Sequence, residues 1–345
     1  MATGCGTGTD PAIRDGGVAV GEAVAVYSLM PASGPRSAAA QDAVLGQKLA
    51  LAQAGGTAGG KRVGLVSLPM PRGRRALADA TREAIRDPGI VAVIGDLDAA
   101  SARITAPLLN AAGLLHVSPG ATYTGLVAPV GEADPDAPGR YAPSGTATFA
   151  PVLPTDEAQA VAIAGAARRP LAVEAEAGVD ARALAAAVRR RAGRTVPTAR
   201  AATVVYVGED PENAAGAVAG VLRENRRARV LLSGGLAGTD VLERLGPAAA
   251  ARVALVTAAG PSELDTPFRD DFRARFGRDP GPFALVGHRA MRSVLRAIDG
   301  AAGDPGERRR VVDAFFATRP LAEAASSPFF LVRRAGGRDR YEPLG

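Results

Sequence analysis

Short apolar runs alternate along the chain with longer segments whose apolar positions recur at helical spacing. "EAVAVYSLMP" (22–31) reads as a first strand, and "AAAQDAVLGQKLALAQAGG" as the helix after it, stopped by Gly55 and Gly56. "KRVGLVSLP" predicts the next strand, and Arg74 to Arg86 a helix that Asp87-Pro88-Gly89 ends. "IVAVIGD", "AASARITAPLLNAAG" and "LLHVSP" continue as strand, helix and strand. Strands that are apolar throughout and separated by helices indicate a parallel sheet covered on both faces. The rhythm breaks at "APVGEADPDAPGRYAPSGTATF", an acidic, proline-rich stretch that reads as the exit from a first lobe.

A second series follows. "DEAQAVAIAGAARR", "VDARALAAAVRRRAG", "PENAAGAVAGVLRENRR" and "GTDVLERLGPAAA" read as helices, interleaved with the strands "PLAVEA", "TVVYVGED", "ARVLLSGG" and "RVALVTAA". "SELDTPFRDDFRARFG" and "PFALVGHRAMRSVLRAIDGAAG" predict two long amphipathic helices. "PFFLVRRAGGRDRYEPL" predicts a hairpin about Gly336-Gly337. The series form two similar halves rather than a short-period array, and 345 residues suit two lobes better than one core.

Composition sharpens this picture. Aromatic residues make up 4% and Trp is absent, so the cores must be built mainly from Ala, Val and Leu. No run approaches the ~18 apolar residues of a membrane span. The net charge is +6, but the arginines are spread along helix faces among acids, without aromatic stacking platforms. That distribution speaks for solvated surface and against a nucleic-acid partner. Arg308-Arg309-Arg310 reads in the same way, as a solvated helix end. The lone cysteine, Cys5, rules out an intramolecular disulfide, and with only two histidines the usual transition-metal clusters cannot be assembled. Ala-Thr-Gly-Cys resembles the end of a bacterial lipoprotein signal, with Cys5 as the lipidation candidate, although the charged and apolar regions that should precede it are missing. "GCGTG" has no strand before it and no helix after it, so it fails as a phosphate-binding loop; residues 1–21 read as a flexible tether.

Ligands of such sheets sit beyond the carboxyl ends of the strands. That places "GDLDAAS" and "SPGAT" on a site, faced by "VGEDPE" and "LSGGLAG". Gly120 and Ala121 allow close backbone approach, and Ser101, Ser118 and Thr122 supply hydroxyls beside helix-terminal amides that attract anions. Ser118 and Thr122 equally suit a cap or a turn. Asp96 and Asp98 are cleft acids or an N-cap, and Asp210 before Pro211 has the same two readings. Tyr123 is a candidate for the cleft entrance. His116, inside an apolar strand, and His288, on a helix, read as structural. No nucleophile–base pair is present, and "VYSLMPASGP" is not a dinucleotide fingerprint, so neither an enzyme nor a cofactor is expected.

Four blocks together resemble one family: "VYSLMPASGP…QDAVLGQKLALAQAGGTAGGKRVGLVSL", "DPGIVAVIGDLDAASARITAPLLNAAGLLHVSPGATYTGL", "TFAPVLPTDEAQAVAIA" and "PFALVGHRAMRSVLRAI". From about Ala23 to the end the chain resembles the type I periplasmic substrate-binding proteins of ABC importers, in their branched-chain amino acid group. The resemblance implies two Rossmann-like α/β lobes joined by a three-strand hinge. They would comprise residues 22–148 with 260–318, and residues 149–259 with 319–345. It also implies an extracytoplasmic, lipid-anchored monomer that closes on a small polar ligand (an amino acid, amide or carboxylate) and presents it to a membrane permease. Gly120, Ala121 and Thr122 would bind the ligand's carboxylate. Ala99 stands where the family has a carboxylate-binding Ser, and Gly235 near where it has an acid that pairs with an ammonium. Glu209, in place of an aromatic residue, and Asp210 are candidates for that missing charge. The second lobe reads as shortened between "AAAVRRRAG" and "TVVYVGED". The alternative is a sensory or regulatory module of the same fold without transport, with degenerate binding.

Overall fold

The computed structural model describes residues 23–261, 265–301, 304, 306–321 and 328–344. The candidate lipidation residue Cys5 and the expected tether lie outside the described residues. Two six-stranded sheets organise the rest. The first runs β2 (Thr57–Ala58), β3 (Lys61–Met70), β1 (Ala23–Pro31), β4 (Ile90–Gly95), β5 (Leu115–Ser118) and β6 (Phe149–Pro151). Except for the β2–β3 pair, its neighbours are parallel; β1 lies against β3 from Ala23↔Arg62 to Pro31↔Met70 and against β4 from Ala25↔Ile90 to Leu29↔Gly95.

The second sheet runs β12 (Arg338–Pro343), β11 (Phe330–Ala335), β10 (Val253–Thr257), β9 (Arg229–Leu232), β8 (Thr203–Val207) and β7 (Leu171–Ala175). β7 to β10 are parallel, and the β11–β12 hairpin adds antiparallel strands at one edge. Gly336 (φ 59°) and Gly337 (φ 76°) turn that hairpin in the left-handed region, as the Gly-Gly pair predicts. Where the sequence reads as shortened, a single parallel bridge, Leu171↔Thr195, stands in place of a strand.

Helices α1 (Ser37–Gln53), α2 (Arg74–Ile85) and α3 (Ala99–Ala111) follow β1, β3 and β4. α4 (Asp156–Ala166), α5 (Val179–Ala192) and α6 (Pro211–Glu224) follow β6, β7 and β8. The helix expected over 238–250 is instead two single turns, α7 (Val241–Arg244) and α8 (Pro247–Ala250). Pro247 disfavours helical backbone at Gly246 before it, so the pattern cannot run through. α9 (Thr266–Phe276) and α10 (Pro282–Gly300) take up the two long amphipathic segments, whose residues 262–264 and 302–303 lie outside the described residues.

α1 and α10 cross with backbone against backbone. A Cβ added at Gly46 would lie 1.9 Å from the Ala284 carbonyl oxygen, and one at Gly287 would lie 2.1 Å from that of Ala43. Only glycine permits this approach. The main core cluster runs from Val24, Val26 and Leu65 of the first sheet through Val294 and Ile298 of α10 to Val204, Val230 and Leu232 of the second. Ala, Val and Leu dominate it, as the composition requires.

Two other expectations need correction. Arg308 opens α11 (Arg308–Thr318) and is not solvated: its guanidinium donates to the carbonyls of Ile85, Asp87 and Ile90. It thereby satisfies carbonyls at and after the carboxyl end of α2, which lack helical partners. Phe149–Pro151 pairs with β5 of the first sheet, so the boundary expected before residue 149 falls one short strand early. Between β5 and β6 the acidic stretch forms 3-10 turns at Thr124–Leu126, Gly131–Ala133 and Gly139–Tyr141.

Candidate functional site

In the first sheet, β3 and β4 flank β1 on opposite sides. The chain therefore leaves β1 and β4 in opposite directions, and a crevice opens at their carboxyl ends. Arg36 lies after β1, Asp98 and Ala99 after β4, and Ser118 to Thr122 after β5. Across the crevice stand Glu209 after β8, Gly235 after β9, and the first turns of α4 and α5, with Asp156 and Asp180.

The two sides touch through polar contacts. Glu209 Oε1 accepts from the Ala99 N–H at 2.9 Å, across 110 residues of sequence. Arg36 Nη2 donates to the carbonyls of Glu209 (2.9 Å) and Gly235 (2.6 Å). Thr122 Oγ1 donates to Asp156 Oδ1 at 2.7 Å, and the Asp156 N–H returns a bond to the Thr122 carbonyl at 2.8 Å. Arg103 of α3 lies 3.0 Å from Asp180. What remains between the two sides is a cavity of about 20 Å³, bounded by Ala99, Thr122, Asp156, Asp180, Glu209 and Gly235 among others. That is room for about one water.

Ala99 is the first helical residue of α3, so its N–H is one that no helical carbonyl can reach, at the positive end of the helix dipole. An acceptor belongs there, and the chain supplies its own in the Glu209 carboxyl. Among the described residues, three carboxyl groups line the small cavity and no basic side chain does. Burial pushes Asp156 up to about 7; Thr122 opposes the rise and Asp180 adds to it. Burial, then the charges of Asp98 and Asp180, push Glu209 up to about 8, against the pull of Arg36 and the Ala99 amide.

A second cavity of about 230 Å³ adjoins the first, and the two share Asp156 and Leu184. Tyr123, Pro129 and Val130 wall it on one side, and Ala183, Leu184 and Ala187 of α5 on the other. At its rim the exposed Arg190 pairs with the half-buried Glu157 at 3.1 Å.

Several expected site residues have other partners. Asp98 caps α3, accepting from the Ser101 N–H at 2.7 Å and from the Ser101 hydroxyl at 3.1 Å. Asp210 caps α6 through the N–H groups of Glu212 and Asn213. Ser118 Oγ donates to the Asp96 carbonyl and accepts from the Ala121 N–H, which closes the turn after β5. The Gly120 N–H points to the Asp96 carbonyl at 3.3 Å, and a Cβ on Gly120 would lie 2.6 Å from the Leu97 oxygen. Glycine is required there by the neighbouring backbone. Asp96 is buried, neither at the cleft nor an N-cap, and accepts from the Thr105 hydroxyl. Tyr123 is only 1% exposed; its hydroxyl donates to Asp134 at 3.1 Å and its ring meets Tyr141 edge-on, so it is a wall and not an entrance. His116 is buried with Nε2 at 2.9 Å from the Gly95 oxygen, and His288 meets Gln53 at 2.7 Å between α10 and α1.

Of the expected residues, Ala99, Thr122, Glu209 and Gly235 meet at the small cavity. Arg36, Arg103, Asp156 and Asp180 were not foreseen. Arg36 is the only charged residue of "PASGPRS", the one signal in that loop that it has a partner. Asp156 and Asp180 look in sequence like ordinary acidic first-turn residues.

A scan against protein-family models finds no match, and a search of curated proteins finds none. Solved structures do match. A leucine-binding protein from Thermotoga maritima superposes with a TM-score of 0.73 at 17% identity, over 92% of this chain and 97% of that one. An ABC-transporter solute-binding protein from R. palustris, in complex with benzoate, gives 0.70 at 17%, over 93% and 96%. A branched-chain amino acid transporter substrate-binding protein from Streptococcus pneumoniae, in complex with isoleucine, gives 0.69 at 16%, over 93% and 99%. The two mostly parallel sheets flanked by helices form the two-lobed fold of the type I periplasmic binding proteins.

Proposed function

We propose that the chain is a solute-binding protein of an ABC importer. It would capture a small polar ligand between its lobes, by hinge closure, and present the closed form to a membrane permease. The observation that carries this reading is the convergence of Ala99 and Thr122 from one sheet with Glu209 and Gly235 from the other around a single cavity. Contacts that exist only when the sides meet give a ligand the differential affinity needed to shift an open–closed equilibrium. The proteins it resembles in fold include a leucine-binding protein and complexes with isoleucine and benzoate, which supports a ligand of that size.

In this reading the lobes are residues 22–151 with 260–318 and residues 152–259 with 319–345, the boundary lying after β6. The ligand would meet Ala99, Thr122, Asp156, Asp180, Glu209 and Gly235. The protein would act as an extracytoplasmic monomer, held to the membrane through Cys5. It would catalyse no reaction, since the cleft pairs carboxyls with amides and hydroxyls and offers no activated nucleophile. Calorimetry against amino acids, amides, amines and carboxylates, with small-angle scattering of each mixture, tests the proposal. Heat of binding together with compaction is expected for at least one compound; a blank across the panel overturns it.

A further inference from the structure

The amide end of α3 and the carboxyl groups facing it divide the cleft into two unlike halves. At the Ala99 N–H, where a ligand's carboxylate would find its natural donor, Glu209 is already seated at 2.9 Å, and Arg36 holds the Glu209 carbonyl in place. A carboxylate ligand would have to displace this side chain and then sit beside Asp98, Asp180 and Glu209 itself, whose charges already act on one another.

In the other half, no cation among the described residues pairs with Asp156. Asp156 is 8% exposed, and its only side-chain partner among the described residues is the Thr122 hydroxyl on Oδ1. No donor among the described residues bonds its other oxygen, and the residue borders both the small cavity and the larger chamber beside it. A buried carboxylate with a single neutral donor calls for a proton or a positively charged group. The basic residues nearby have other partners: Arg36 holds the carbonyls of Glu209 and Gly235, Arg103 pairs with Asp180, and Arg190 and Arg191 pair with Glu157 at the rim. From Asp156 the chamber extends along Ala183, Leu184 and Ala187, opposite Pro129 and Val130, with about 230 Å³ of space. Asp156 stands at its inner end beside these apolar side chains, and the Arg190–Glu157 pair lies at its rim.

We infer that the cleft selects a small organic cation without a carboxylate, such as a primary amine, with its charged end on Asp156 and its carbon chain in the chamber beside α5. Glu209 acts as the specificity determinant that closes the α3 amide to carboxylates. The inference rests on the ligand-capture reading above and narrows the ligand class of that same cleft.

Three matched probes test it: leucine, the amine left when leucine loses its carboxylate (3-methylbutylamine), and the acid left when it loses its amino group (4-methylpentanoate). Each is titrated calorimetrically into the full chain, with scattering recorded in parallel. The wild type should bind the amine with compaction, bind leucine at least tenfold more weakly, and give no signal with the acid. Asp156→Asn should weaken the amine at least tenfold. Glu209→Ser, which frees the Ala99 amide, should gain affinity for leucine and the acid. Thermal melting of both variants checks that they fold. Tighter binding of the acid or of leucine than of the amine overturns the inference and leaves ligand capture standing. An unchanged amine affinity in folded Asp156→Asn also overturns it. No binding of any probe overturns it too, and a blank across the wider panel takes the capture reading with it.

Discussion

Where α1 crosses α10, backbone lies against backbone at Gly46 and Gly287, with apolar side chains closing around them. Across the cleft the contacts are polar: an amide on Glu209, a guanidinium on two carbonyls, a hydroxyl on Asp156. At its two glycines the first contact leaves no space between the backbones for water or a side chain. The second is a few hydrogen bonds around carboxyl groups whose protonation is finely balanced, each a modest net contribution that water can replace. The seam gives α1 and α10 a fixed base, and the cleft is where the capture reading would have the molecule open.

The comparison breaks most sharply at the seam. Gly46→Val should destabilise the chain by about 3 kcal/mol or more in denaturant unfolding, because its Cβ would occupy the position of the Ala284 oxygen and force the helices apart. A loss below about 1 kcal/mol would show the seam to be pliable.

The next effect is on pH dependence. Asp156 and Glu209 both titrate above the ordinary carboxyl range, near 7 and 8. Between about pH 4.5 and those values the folded chain keeps protons that the unfolded chain has released, so their contribution to stability falls as pH rises. Asp156→Asn should match the wild type near pH 4.5 and exceed it by on the order of 1 kcal/mol near pH 8 in urea unfolding. A constant difference across that range would remove Asp156 as a titrating group.

Arg36→Ala is a smaller perturbation. It removes two hydrogen bonds across the cleft and should cost about 1 kcal/mol. The radius of gyration from scattering should rise, while a peptide of the α1–α10 seam keeps its hydrogen-exchange protection. Equal loss of protection in both places would mean that seam and cleft open as one unit.

The same contrast governs what the sequence reveals. The strand–helix rhythm is legible because each strand is a short apolar run and each long helix shows its own spacing. β2 and β6, of two and three residues, are too short to show a period, and the turn at Gly246-Pro247 splits a pattern that otherwise reads as one helix. Asp98 and Asp210 were legible as caps because capping is local. Glu209 was visible as an acid at a strand end, but its partner is an amide 110 residues away that only the folded chain brings near. Arg36 and Asp156 were illegible for the same reason: an arginine in a loop and an acid in a first helical turn look ordinary until the opposite side of the cleft is in place.

Hydrogen exchange at the Ala99 amide tests the central claim most directly. With Glu209 seated on it, this N–H should be protected in the wild type although no helical carbonyl reaches it, and Glu209→Ala should exchange it at least tenfold faster with the α1–α10 seam unchanged. An Ala99 amide that exchanges freely in the wild type, or at the same rate in the variant, would contradict the account of how the two sides of the cleft meet.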